Sequence, residues 1–199
     1  MQLFSSQGEY LKAIGTKELT GPTTVAFTRS SDLIVLASRG IFCFNESGKC
    51  VKNITNKHLN KPYGSLTIAR DGHVVVCDGN NIEKVLTPDG SELLLTISDP
   101  DRVRPTYAVC HQDTFVVSYY WADNVKIFSK DGLFMYRIGT PGSGDGQLCR
   151  PAGLINDRFS SLVVCGSYNS RLQIFTIEGK FLSTIGGQHT SLTVDPRHA

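Results

Sequence analysis

Val125-Lys126-Ile127-Phe128-Ser129-Lys130-Asp131-Gly132-Leu133-Phe134-Met135 reads as one strand, a polar turn closed by glycine, and a second strand. The first limb alternates apolar and polar side chains with period two, the mark of a strand with one buried face. A tight hairpin needs a residue at positive φ, and glycine takes that conformation at least cost. The same pattern recurs in residues 2–11, 41–51, 83–93 and 172–182. The turn glycines Gly8, Gly48, Gly90, Gly132 and Gly179 are thus separated by 40, 42, 42 and 47 residues. A period of that length marks a repeat architecture.

Two more strand candidates lie between successive turn glycines. In the second unit they are Ser65-Leu66-Thr67-Ile68-Ala69 and His73-Val74-Val75-Val76-Cys77. In the third they are Thr106-Tyr107-Ala108-Val109-Cys110 and Thr114-Phe115-Val116-Val117-Ser118. Four short strands per forty-odd residues predict an all-β fold, a β-propeller of four-stranded antiparallel blades. No segment of helical length carries a 3.6-residue period, which excludes solenoids of helix pairs.

The fourth unit resembles the NHL repeat. It runs Gly146-Gln147-Leu148-Cys149-Arg150-Pro151-Ala152-Gly153-Leu154, then Leu162-Val163-Val164-Cys165-Gly166, then Asn169-Ser170-Arg171-Leu172-Gln173-Ile174-Phe175. The third unit keeps Asn124-Val125-Lys126-Ile127-Phe128 without the arginine. The linker 139–147 is similar to the family's glycine-rich one, and the first two units are degenerate. Complete units are expected at 22–55, 62–97, 105–139 and 151–186, with partial units at 2–15 and 191–195 of a single domain, 1–199. The family closes with five or six blades. A fragment of a longer propeller and an imperfect fifth blade both fit, and the missing second strand of that blade favours the fragment. The resemblance is to the C-terminal domain of tripartite-motif proteins, whose RING supplies ubiquitin-ligase activity. It implies a recognition module without catalytic residues, any ligase activity lying outside this chain.

Net charge is +2, too small for bulk attraction to nucleic acid or membrane. No apolar run approaches the roughly 18 residues of a membrane helix, and residues 1–8 lack the basic and apolar regions of a secretory signal. A cytoplasmic protein is expected, with no membrane or DNA partner. The six cysteines (Cys43, Cys50, Cys77, Cys110, Cys149, Cys165) show no zinc-ligand spacing and read as free thiols inside apolar runs. The sequons at Asn45 and Asn53 read as chance matches.

Propeller geometry places the fourth-to-first and second-to-third strand connections on one rim, the entry face. That rim would collect Lys17, Arg39, Lys57, Lys61, Arg102, Arg104, Arg150 and Arg171 against Glu18, Asp78, Asp99, Asp101, Asp123 and Asp145. It would also carry Tyr63, Tyr119, Tyr120, Trp121 and Tyr168. Trp, Tyr and Arg are the usual anchors of protein interfaces, and aromatics among cations also suit single-stranded RNA. The candidate ligand-binding residues are Arg39, Lys61, Tyr63, Arg102, Arg104, Tyr120, Trp121, Arg150, Tyr168 and Arg171. A protein ligand is favoured because the rim is only mildly basic; single-stranded RNA is the alternative. Tyr119 and Trp121 have a packing role as their alternative, and Arg171 reads chiefly as a structural residue. Catalytic readings are weaker. Some NHL-like lyases bind zinc through histidines, which directs attention to His58, His111 and His189; lactonase-type propellers bind a cation, which directs it to Asp78, Asn80, Asn124 and Asn169. None sits in a recognisable motif, so no metal and no cofactor are expected.

Overall fold

The computed structural model describes residues 1–54, 59, 62–78, 82–157 and 159–187. Lys57, His58, Lys61, Asn80, His189, His198 and the expected strand at 191–195 lie outside the described residues, as does the side chain of Tyr63. The chain forms two compact units, Met1–Thr96 and Ile97–Ala199. No helix occurs among the described residues.

In the first unit β1 (Gln2–Phe4) and β2 (Tyr10–Ala13) make a two-stranded hairpin. β3 (Thr24–Phe27), β4 (Leu33–Ala37), β5 (Gly40–Phe44) and β6 (Cys50–Ile54) form a four-stranded antiparallel meander. β7 (Pro62–Ile68), β8 (Val74–Asp78), β9 (Ile82–Leu86) and β10 (Leu93–Ser98, of which Ile97 and Ser98 are counted in the second unit) form the next. β7 packs against β3 and β4, and the Thr24 hydroxyl donates to the Gly64 carbonyl at 2.8 Å. Ile34, Leu36, Ile41, Leu66, Val74, Val76 and Leu86 form the core between these sheets.

The second unit repeats the plan. β11 (Tyr107–His111), β12 (Thr114–Tyr119), β13 (Asn124–Ser129) and β14 (Phe134–Ile138) are one meander. β15 (Thr140–Pro141) and β16 (Gln147–Leu148) are a short parallel pair within the glycine-rich linker. β17 (Pro151–Asn156), β18 (Ser161–Gly166), β19 (Arg171–Thr176) and β20 (Phe181–Gly186) are the other meander. β17 packs on β11 and β12, bridged from Ser118 Oγ to the Ala152 carbonyl (3.1 Å) and from Asn156 Nδ2 to the Cys110 carbonyl (2.8 Å). Val116, Val125, Ile127, Leu148, Leu154, Leu162, Val164 and Phe175 fill the core.

The five glycine turns share one construction. Each glycine has φ between 69° and 95°, and its N–H donates to the carbonyl three residues earlier at 2.7–3.0 Å. The residue at that earlier position, Ser5, Asn45, Thr87, Ser129 or Thr176, also accepts a backbone N–H from across the turn through its side-chain oxygen, at 3.0–3.3 Å. These are side-chain mimics of a turn bond. In four of the hairpins the register shifts by a bulge at the residue just before the turn. Three of them close with an edge-to-face aromatic pair: Phe4–Tyr10, Phe128–Phe134 and Phe175–Phe181, with centroids 5.9–6.0 Å apart.

β13 departs from the alternating expectation. Val125, Lys126, Ile127 and Phe128 are all fully buried, so both faces of the strand are covered. A lysine tolerates that position only because carboxylates meet it there, as described below.

All six cysteines are free. Cys77 is fully enclosed, its Sγ 3.5 Å from the Ser65 hydroxyl. Burial, reinforced by the neighbouring Glu83 carboxylate, pushes its thiol up to about 12. Thiolate is the reactive form, so at pH 8 Cys77 should hold roughly a thousandfold less of it than an ordinary thiol. Timed alkylation followed by peptide mass spectrometry is expected to label Cys77 last. Labelling in step with the partly exposed Cys149 would show that β8 opens.

Candidate functional site

In the second unit the β12–β13 turn, the β18–β19 turn and the linker between β14 and β17 converge on Arg150. Its backbone is held from both sides. The Asp123 carboxylate accepts the Arg150 N–H at 2.7 Å, and the Ser167 hydroxyl donates to the Arg150 carbonyl at 2.7 Å. The Tyr168 N–H reaches the Cys149 carbonyl at 3.4 Å. Within its own turn, Asn124 Nδ2 donates to the Ala122 carbonyl at 2.9 Å, which sets the path between Tyr120 and Asp123.

This mounting stacks the Arg150 guanidinium on three rings. Its Cζ lies 4.4 Å from the Trp121 centroid, 4.5 Å from Tyr168 and 5.1 Å from Tyr120. The rings meet edge to face, Tyr120–Trp121 at 5.1 Å and Tyr120–Tyr168 at 6.3 Å. A cation on ring faces is attracted by their quadrupoles. Hydrogen bonding to the Tyr120 hydroxyl raises the Arg150 pKa above its ordinary value, so the group is a fixed cation. Trp121 and Tyr168 are nonetheless 68% and 65% exposed. The cluster is packed together and open to solvent at once.

The second unit carries another feature. Lys126 and Gln173 each precede their turn glycine by six residues, and both side chains are buried. Each pins the connection that enters its own sheet. Lys126 Nζ bonds Asp99 and, at 2.7 Å, Asp101, and it lies 4.6 Å from the Tyr119 ring centroid. Asp101 also takes Arg137 at 2.5 Å, while the other oxygen of Asp99 accepts the Val103 N–H at 2.8 Å. Gln173 accepts the Gly146 N–H at 2.9 Å and donates to the Gln147 carbonyl at 2.5 Å. In the first unit the corresponding Lys84 pairs with Asp78 at 2.7 Å.

Four of the ten residues singled out from sequence thus meet: Tyr120, Trp121, Arg150 and Tyr168. Arg102 is exposed in the β10–β11 connection, and Arg104 lies partly buried in the same segment. Arg171 is engaged internally, its Nη2 donating to the Gly144 (2.7 Å) and Gln147 (3.2 Å) carbonyls. Tyr119 is fully buried. Arg39 sits exposed in the β4–β5 turn of the first unit. Lys61 and the Tyr63 side chain lie outside the described residues. Of the groups weighed for metals, Asp78 pairs with Lys84, Asn124 serves its turn, and Asn169 Nδ2 donates to the Gly142 carbonyl at 3.0 Å. Among the described residues no three His, Cys, Asp or Glu side chains gather as a metal site.

Sequence reading missed the pinning role of Lys126, Asp99 and Gln173. The available signal was a long polar side chain at one fixed distance before successive turn glycines.

No family model matches the chain. It is 46% identical over 46 residues to protein lin-41 of Caenorhabditis elegans, a stretch covering 23% of this chain and 4% of that protein. It superposes on virginiamycin B lyase from Staphylococcus aureus with a TM-score of 0.68 and 16% identity, over 92% of this chain and 61% of that one. A streptogramin B lyase gives 0.71 and 13%, over 94% and 62%. A catalytically inactive virginiamycin B lyase with quinupristin gives 0.71 and 13%, over 95% and 63%. The chain therefore spans less than two thirds of these solved chains. The likeness shows a propeller-type fold. It also overturns the expectation that the fold marks a protein without catalysis, because the same frame carries lyases.

Proposed function

We propose that this chain is a recognition module that holds a protein partner on the rim bearing Tyr120, Trp121, Arg150 and Tyr168. The observation carrying this reading is the pair of solvent-exposed rings, Trp121 and Tyr168, fixed in place by a buttressed arginine. Rings held in one orientation before binding lose little entropy when a partner covers them. Trp, Tyr and Arg are also the residue types that dominate interface energetics. The resemblance of residues 146–175 to the NHL pattern and the identity with protein lin-41 support a tripartite-motif setting. In a longer protein with a RING, such a module would choose the substrate for ubiquitin transfer.

Selection of a random peptide display library against the full chain tests this. Enriched peptides should lose about thirtyfold in affinity to Trp121→Ala, the scale of an interface hot spot. They should bind Lys130→Ala, altered in the opposite turn between β13 and β14, as well as the parent. Failure to enrich peptides, or binding indifferent to Trp121, would sink the reading. Salt-sensitive binding of a uridine decamer in its place would assign the rim to RNA.

A further inference from the structure

We infer that the rim recognises an acidic peptide, with the outer edge of the Arg150 guanidinium taking a carboxylate between Trp121 and Tyr168. This rests on the recognition reading above and names its ligand chemistry.

The argument begins with what Arg150 lacks. Its side chain meets three rings and the Tyr120 hydroxyl, and no carboxylate among the described residues reaches it. Stacked on ring faces, a guanidinium still presents its N–H edge, whose planar fork matches a carboxylate in two parallel hydrogen bonds. The Arg102 side chain likewise has no ion-pair partner among the described residues. Both arginines adopt positive φ, 55° at Arg102 and 50° at Arg150.

Of the second unit's acidic groups on this rim, three are engaged, while Asp145 is exposed in the linker. Asp99 and Asp101 answer Lys126 and Arg137, and Asp123 accepts the Arg150 N–H. Around Trp121 and Tyr168 the structure offers a ligand an aromatic surface with the Arg150 cation at its centre, complementary to a carboxylate. Among the described residues of the second unit these two arginines are few for a phosphate chain, which calls for a track of cations along its backbone. They suit one or two carboxylates, with an apolar neighbour of the ligand lying on the Trp121 face.

Trp121 is the only tryptophan, so its fluorescence reports on the site directly. The probes are acetyl-Gly-Glu-Asp-Glu-Gly-amide, its neutral analogue acetyl-Gly-Gln-Asn-Gln-Gly-amide, that neutral peptide as the free acid, and a uridine decamer. The first should shift the emission saturably, and the neutral amide should not. A response to the free acid as well would show that a chain-terminal carboxylate also serves; a response to the first alone assigns side-chain carboxylates. Arg150→Lys keeps the charge and the backbone bonds but loses the fork, and should weaken binding about tenfold. Equal response to the neutral amide, indifference to Arg150→Lys, or tighter binding of the decamer overturns the inference. Library peptides that need Trp121 yet are neutral or basic overturn it while leaving the recognition reading intact.

Discussion

Lys126→Met is expected to destabilise the protein by about 3 to 5 kcal/mol, because it leaves Asp99 as a buried charge without its counter-ion. The Asp99 and Lys126 side chains are both fully enclosed. Methionine fills much of the lysine's volume, so the loss reports the charge and not a cavity. Urea unfolding measures it directly, and the thermal midpoint should fall by roughly 10 °C or more. Asp99→Asn in the same chain removes the stranded charge and keeps an acceptor for the Val103 N–H, so the double variant should regain more than half of the loss. A cost below about 1 kcal/mol for the single variant would mean that water reaches Asp99 readily.

The same replacement should change the acid limb. The hydrogen bond from Lys126, with help from the Arg137 charge, holds the Asp101 carboxyl below its ordinary range. A carboxyl depressed in the folded state contributes stability that is complete above its unfolded pKa and lost as pH falls through the folded one. In Lys126→Met the Asp101 pKa should rise toward the usual carboxylate value, which carboxyl NMR titration reads residue by residue. Arg137 sits on the solvent side of Asp101, so its removal should shift Asp101 less.

The repeat was legible because the glycine hairpin is a local device. Positive φ at Gly132 or Gly179 and the alternation before it need only a few adjacent residues, and the spacing of such turns carries the strand count. The sequence pattern also placed Tyr120, Trp121, Arg150 and Tyr168 on one rim, since propeller connectivity sorts connections by their order along the chain. What it could not supply was pairing at a distance. Asp99 and Asp101 counted there as available rim charge, whereas the structure commits them to a lysine 27 and 25 residues away. Lys126 itself looked like the polar half of an alternating strand. Nothing local distinguishes a lysine facing water from one facing a buried aspartate. The stacking of Arg150 was invisible for the same reason: the rings come from two different turns.

Gln173→Leu should cost about 2 to 3 kcal/mol, and its effect should extend to the rim. The side chain is buried and answers two backbone groups of the linker, the Gly146 N–H and the Gln147 carbonyl. Leucine answers neither, and each orphaned buried group costs about 1 to 3 kcal/mol. Arg171 still donates to the Gln147 carbonyl, which keeps the total near the lower end. The linker has little room to move elsewhere: a Cβ on Gly139 would fall 2.5 Å from the Leu148 side chain, so close packing fixes that bend. Freed at Gly146, the chain should relax over the next few residues, and Arg150 lies three beyond Gln147. Amide exchange at Gly146 should therefore accelerate by at least tenfold, the scale of losing about 1.4 kcal/mol of local protection. Binding read by Trp121 fluorescence should weaken in the same variant although residue 173 touches no ligand. Arg171→Lys, which leaves the glutamine in place, should do less on both measures. A Gln173→Leu protein with unchanged Gly146 exchange and full stability would show that the linker holds its course without this side chain, and Arg150 would owe its position to Asp123 and Ser167 alone.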